Sequence, residues 1–198
     1  MATPGTEIVS NNLMAVQQIL VDAQDQIAAV LPNHIGVEKF VHVALELVRG
    51  TPGLVKCAES TEGRVSILQG ILEASQLALM LTKHLGHGYL VPYKNGSLSQ
   101  LAGRDIYEAQ FQIGYRGFGH LIQEADPNAK APYSMIVWPQ EAFQYLGPEQ
   151  LPSHQIDNQG GTVTVRADSG LAGFQGCYSV VPYKDGSHRV EWMPLHEI

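Results

Sequence analysis

The sequence has 198 residues, with 12 Lys+Arg against 19 Asp+Glu and a formal charge of −7. Hydrophobic residues make up 44% and charged residues 16%, which supplies a buried core and excludes a chain disordered by composition. The acidic balance excludes a surface that attracts nucleic acid or anionic membrane over its whole extent, but leaves room for a local basic strip.

The length suits one domain, or one domain with an appendage. The opening MATPGTEIVSNN is polar, is expected to fray, and has neither the basic start nor the apolar stretch of a signal peptide. Asn11 or Asn12 can cap a helix over Leu13–Leu31, with Val16, Ile19, Leu20, Ile27 and Val30 as its apolar set and Pro32 as its stop. A second helix is expected over Val37–Arg49, where Phe40, Val41, Ala44, Leu45 and Val48 share a face. Gly50 supplies its C-cap and Pro52 the break. Ser60 caps a third helix that carries Val65, Ile67, Leu68, Ile71 and Leu72 to about Leu77.

Beyond residue 86 helical periodicity gives way to strands and turns. Tyr89-Leu-Val-Pro-Tyr93 runs into Asn95-Gly96, a strong hairpin signal, and Ala109–Tyr115 alternates as a strand. Arg116–Ala125 reads as a short helix. Extended segments are expected at Tyr133–Trp138, Ala142–Tyr145, Thr162–Val165, Gly173–Pro182 and His188–Met193. Helices first and strands second predict an α+β fold, a single core domain in which N-terminal helices pack on an antiparallel sheet with hairpins.

Catalytic signals are missing from the sequence. His84 and His87 are separated by glycine-rich backbone, and no HExxH, CxxC or clustered carboxylate set accompanies them, so no metal site is expected. No G-x-S-x-G elbow is present. Cys57 and Cys177 sit among apolar or small residues and read as buried thiols in a reducing compartment. No uncharged apolar run approaches the roughly 18 residues of a membrane span. A soluble cytoplasmic protein without cofactor or enzymatic activity is expected.

Three features point elsewhere. Val91-Pro-Tyr-Lys-Asn-Gly-Ser97 recurs as Val181-Pro-Tyr-Lys-Asp-Gly-Ser187. Both copies read as hairpin tips, and each would present a tyrosine beside a lysine. Gly114-Tyr-Arg-Gly117-Phe-Gly119 leads from a strand into a helix, either as a tight turn that needs glycine or as a phosphate-binding helix start with Arg116 at its mouth. The charge is also uneven. Residues 1–38 carry four acidic and no basic residues, 39–116 carry eight basic against six acidic, and 117–198 carry four basic against nine acidic. Within the middle stretch Lys83, Lys94, Arg104 and Arg116 interleave with Tyr89, Tyr93, Tyr107, Phe111, Tyr115 and Phe118. That pattern fits a single-strand track of stacking rings and spaced cations, and equally fits core-packing strands with solvated charges outside.

Over roughly Leu31–Ile198 the sequence resembles the RecT family of phage and prophage single-strand annealing proteins, related in function to the lambda Red beta recombinase. The resemblance rests on Leu31-Pro-x-His34, Phe40 with Ala44-Leu45, and Thr51-Pro-Gly-Leu54 with Cys57 and Ser60. It continues through Gly88-Tyr-Leu-Val-Pro-Tyr93, Gln112-Ile-Gly-Tyr-Arg-Gly-Phe118 and Val137–Phe143 with Gly147. It closes with Tyr178-Ser-Val-Val, Asp185-Gly and Val190-Glu-Trp-Met193 followed by Glu197. It implies an α+β annealing core over 33–198 and an N-terminal helical segment over 1–32 for subunit contacts.

The implied activity is ATP-independent annealing of complementary DNA strands in recombination, on a homo-oligomeric ring, arc or helical filament. The implied ligands are single-stranded DNA and the annealed duplex intermediate. A 5′–3′ exonuclease and a host single-strand-binding protein are the implied partners, in the cytoplasm of a bacterial host. Matched motifs assign DNA contact to Tyr89, Tyr93, Tyr115 and Arg116. Charge and position add Lys94 and Arg104, and the repeated heptapeptide adds Lys184. The chain is longer than many members between Asn95 and Gln110, and Arg116 stands where lysine is common. Many members continue past the point where this sequence stops, into a C-terminal region that contacts partners. Three other readings stay open: a KH-like module, since Gly114–Gly117 satisfies GXXG, an assembly protein with no DNA role, and a small-molecule enzyme.

Overall fold

The computed structural model describes residues 4–139, 141–156 and 173–197, with only the backbone described for 4–10. The expected strand at Thr162–Val165 lies outside the described residues. The chain divides into two compact units between Phe118 and Gly119.

The first unit is a layer of helices on a two-stranded antiparallel hairpin. Its helices are α1 (Pro4–Asp22), α2 (Gln24–Val30), α3 (Val37–Arg49), α4 (Pro52–Cys57) and α5 (Thr61–Gln76). The single helix expected from Leu13 instead begins at Pro4 and is interrupted only at Ala23. Backbone bonds from Ala23 N to Ile19 O and from Ile27 N to Ala23 O (both 3.0 Å) carry the ladder through that residue. Helix α3 has the expected bounds, and its five expected core residues are buried. Pro52 begins α4 rather than merely ending α3, because the first turn of a helix has no use for the missing N–H. Ser60 caps α5 as expected, its Oγ accepting from Gly63 N at 2.9 Å. Helix α5 ends with Ala78 at φ 54°, while Leu79 N donates to Ala74 O and Ala78 N to Ser75 O. Those two bonds form a complete Schellman motif, built on alanine where glycine is usual.

The buried face of α5 differs from expectation. Val65 is exposed, whereas Gly63, Ser66 and Gly70 are buried beside Ile67, Ile71 and Ala74. A Cβ on Gly70 would lie 2.5 Å from Leu90 Cδ2, and one on Gly63 would lie 2.6 Å from Tyr107 O. Small residues therefore let the hairpin of β1 (Gly88–Lys94) and β2 (Tyr107–Ile113) lie directly on the helix. Its register pairs Tyr89 with Gln112, Leu90 with Phe111, Val91 with Gln110 and Tyr93 with Glu108.

The connection between these strands corrects the hairpin expectation. Asn95 does not turn the chain with Gly96. Its side chain accepts from Leu98 N at 3.0 Å and caps a helix, α6 (Gly96–Ala102), which Gly103 ends at φ +64°. The repeated heptapeptide thus takes two conformations. Its second copy is a true turn, with Tyr183 N bonded to Ser187 O at 2.9 Å and Gly186 at φ +90°.

Helix α7 (Tyr115–Ala125) follows β2. The second unit is otherwise strand-built. β3 (Tyr133–Val137), β6 (Gly176–Pro182) and β7 (His188–Pro194) form one antiparallel sheet in the order β3-β6-β7. β4 (Ala142–Gln144) pairs with β5 (Ser153–Gln155), a strand too short and polar to be foreseen. Val137, Tyr178, Val180 and Val190 form the core here, with Phe143 and Trp192 packed against it. A polar set is buried with them. His154 bridges Glu141 Oε2 and Tyr178 Oη, each at 3.2 Å, and Glu141 accepts from Trp138 N at 2.8 Å. The α+β class is as expected, with the strands divided among three sheets.

Candidate nucleic-acid interface

Strand alternation decides which side chains the hairpin offers. Gly88 and Leu90 are buried toward α5, so Tyr89, Val91 and Tyr93 point the other way, opposite Gln112, Gln110 and Glu108. Tyr89 is 43% and Tyr93 46% exposed. Gln112 Nε2 donates to Tyr93 Oη at 2.7 Å. Gln112 lies two outward pairs away in the register, so this bond lays the Tyr93 ring along the strand instead of letting it stand off the surface. The outward face is a flat strip of two phenols, two amides and one aliphatic residue. It offers π-faces and hydrogen-bonding edges, with Glu108 as its one charge.

One end of the strip is the glycine run. A Cβ on Gly114 would sit 2.3 Å from Gly86 O and 2.9 Å from Tyr89 Cε2, and one on Gly117 would sit 2.0 Å from His87 O. Glycine is therefore required for the geometry. The same closeness brings the N-terminus of α7 beside Tyr89, since a Cβ on Gly86 would meet Tyr89 Oη at 3.1 Å and Arg116 Cδ at 3.5 Å. Arg116 is held by neutral oxygens: its Nε donates to Tyr115 Oη at 2.9 Å and its Nη1 to His84 O at 3.3 Å. Its guanidinium lies 5.7 Å from the Tyr115 ring centroid. The charge is thus positioned without being neutralised. It is joined there by the positive end of the α7 helix dipole. Tyr115 is 77% and Phe118 56% exposed, an aromatic pair three residues apart on one helix face.

Lys94 and Arg104 stand at the α6 end of the hairpin, where Lys94 shares the helix-facing parity of Leu90 and pairs with Tyr107 rather than lying on the tyrosine strip. Lys94 Nζ lies 2.7 Å from Asp105 Oδ1, a pair open to solvent on both sides. The Asp105 hydrogen bond and charge hold the lysine pKa above its ordinary value. Arg104 follows Gly103, is exposed, and has no hydrogen bond or ion pair among the described residues. A cleft of about 440 Å³ opens here, lined in part by Tyr93, Lys94, Asn95 and Gln110.

Tyr89, Tyr93, Lys94, Arg104, Tyr115 and Arg116 therefore all belong to the first unit. Lys184 belongs to the second, exposed in the β6–β7 turn beside a cleft lined by Asp126, Asp185 and Arg189. Phe118, Gln110 and Gln112 are additional outward residues. Alternation along β2 was the signal for the glutamines. Among the described residues no group of three or more His, Cys, Asp or Glu side chains could hold a metal ion. No described helix is long and apolar enough to cross a membrane.

A family model described as RecT family matches residues 38–198, which takes in the hairpin, α7 and the strands of the second unit. The chain belongs to the RecT family. Among curated proteins it is similar to Protein RecT of Escherichia coli (strain K12), at 28% identity over 176 residues. That match covers 88% of this chain and 58% of the relative, so the chain spans little more than half the length of the RecT protein it matches. The family match begins at the second residue of α3, so α1 and α2 lie ahead of it.

Proposed function

We propose that this protein binds single-stranded DNA and anneals it to a complementary strand in recombination, without ATP. The observation that carries this reading is the Tyr89–Tyr93 strip with Arg116 at its end, in a chain of the RecT family. Rings and amides on one flat face suit stacked, unpaired bases, at about 1–3 kcal/mol per stacked base. Arg116 at the end of that face, and Lys94 and Arg104 at the α6 end of the hairpin, suit the flanking phosphates. No bond is made or broken in the act: the protein offsets phosphate repulsion and strand ordering, and base pairing supplies specificity.

One protomer offers few unneutralised cations, so useful affinity comes from many copies along one strand, as a ring, arc or helical filament. Residues 1–32 make subunit contacts in this reading, supported by the outward apolar residues Met14, Val21 and Val30 of α1 and α2. The protein works in the cytoplasm of a bacterial host, with a 5′–3′ exonuclease that exposes the strand and a host single-strand-binding protein. Lys184 contributes a DNA contact from the second unit.

Filter binding of a labelled single strand, followed by its complement without nucleotide, tests the function. Retention of the first strand and protein-dependent duplex formation are expected. Failure to retain any strand at low salt would sink the reading. Arg116→Ala is expected to weaken binding and flatten its salt dependence, by about 0.7 in the logarithmic slope for each phosphate that is no longer neutralised.

A further inference from the structure

The two ends of the hairpin hold their cations differently. Arg116 rests on neutral oxygens, whereas Lys94 already has an anion, the Asp105 carboxylate at 2.7 Å. The backbone fixes that pairing. Asn95 N donates to Ile106 O at 2.9 Å, Ile106 N donates to Ser99 Oγ at 2.9 Å, and Ser99 Oγ donates to Asn95 O at 2.6 Å. These bonds clamp the two ends of the α6 connection together, one residue after Lys94 on one strand and one residue after Asp105 on the other. Other charges in this part of the fold include Arg104, which no carboxylate engages among the described residues, Glu108, which accepts from Asn95 Nδ2, and Lys56, whose ammonium lies 5.4 Å from the ring centroid of Tyr107, the partner of Lys94 in the register. Both members of the pair remain half in solvent, at 51% and 60% side-chain exposure.

We propose that Asp105 is an internal competitor of DNA phosphate at Lys94, so that the Lys94 end of the site exchanges its hold on a strand while the Arg116 end anchors it. This rests on the DNA-binding reading above. A phosphate oxygen accepts from an ammonium as a carboxylate oxygen does. An exposed pair of this kind is weak enough to open, yet its carboxylate stays beside the incoming phosphate. The α6 connection supplies this competitor.

Asp105→Asn keeps the shape and a hydrogen-bond acceptor while removing the charge. It is expected to tighten binding of a short oligothymidylate at low salt by about two- to five-fold, with an unchanged thermal unfolding midpoint. In a Lys94→Ala background the same substitution is expected to change nothing. Intact wild-type binding with no gain from Asp105→Asn would overturn this inference alone. So would a gain that persists without Lys94, because Asp105 would then act by general repulsion. Absence of single-strand binding by the folded wild-type protein would remove the DNA reading and this inference together.

Discussion

Ser66 on α5 accepts a hydrogen bond from the Ala109 backbone N–H of β2 at 2.8 Å, and both residues are buried. Ala109 stands opposite Pro92 in the register. Its N–H points away from β1, so the proline across from it costs the ladder no bond. The serine satisfies that edge group from the helix and fixes the height at which the tyrosine strip is presented.

Ser66→Ala leaves the Ala109 N–H buried without its acceptor. The expected loss is about 1–3 kcal/mol of stability, read as a lower urea midpoint with an unchanged slope. A loss below about 0.5 kcal/mol would mean that the edge of β2 reaches water.

Ala78 closes α5 in the left-handed region, where a Cβ is unfavourable by roughly 1–2 kcal/mol. Ala78→Gly is therefore expected to stabilise the protein by about 0.5–1 kcal/mol, after the entropy glycine loses on folding. A thermal melt that moves down would show that the αL conformation is not kept.

Burial pushes the Cys57 thiol from 9.0 up to about 11. In the unfolded chain the thiol gives up its proton near 9, whereas the folded chain keeps it to about 11. The unfolded state therefore binds fewer protons in that window, and stability falls as pH rises through it. Urea midpoints at about pH 8 and about pH 10.5, on either side of the unfolded thiol's titration, are expected to drop more in wild type than in Cys57→Ala. Equal drops would place the alkaline sensitivity elsewhere.

At Tyr93 the ring and the hydroxyl separate cleanly. Tyr93→Ala is expected to weaken single-strand binding about five-fold or more, from about 1–3 kcal/mol of stacking removed. Tyr93→Phe loses only the Gln112 bond and is expected to stay within about three-fold of wild type, the order of one net hydrogen bond. Equal losses in fluorescence-anisotropy titrations would assign the contact to the hydroxyl.

Much of this architecture was legible in the sequence where burial uses large side chains. Helix α3 follows from Phe40, Val41, Ala44, Leu45 and Val48 at helical spacing before Gly50, and its bounds match. The inner face of α5 was not legible, because Gly63, Ser66 and Gly70 achieve close approach by lacking bulk, and hydrophobic periodicity counts bulk. Asn95 was ambiguous for a chemical reason: the same side-chain oxygen serves a turn or a helix cap, and the choice depends on residues 96–102 taking up a helix. Tyr89 and Tyr93 came from the family resemblance, and alternation along β1 is what turns them outward. The Lys94–Asp105 pair was not legible, since it joins residues brought together by a connection whose helix was unforeseen. The buried Glu141–His154–Tyr178 set likewise joins separate strands and leaves no local pattern.

Photocrosslinking tests the site assignment most directly. A single strand carrying 5-iododeoxyuridine is bound, irradiated, digested and mapped by mass spectrometry. Adducts are predicted on Tyr89, Tyr93, Tyr115 or Phe118, and unlabelled strand should compete them away. Efficient, competable adducts found only outside 83–118 would contradict the assignment.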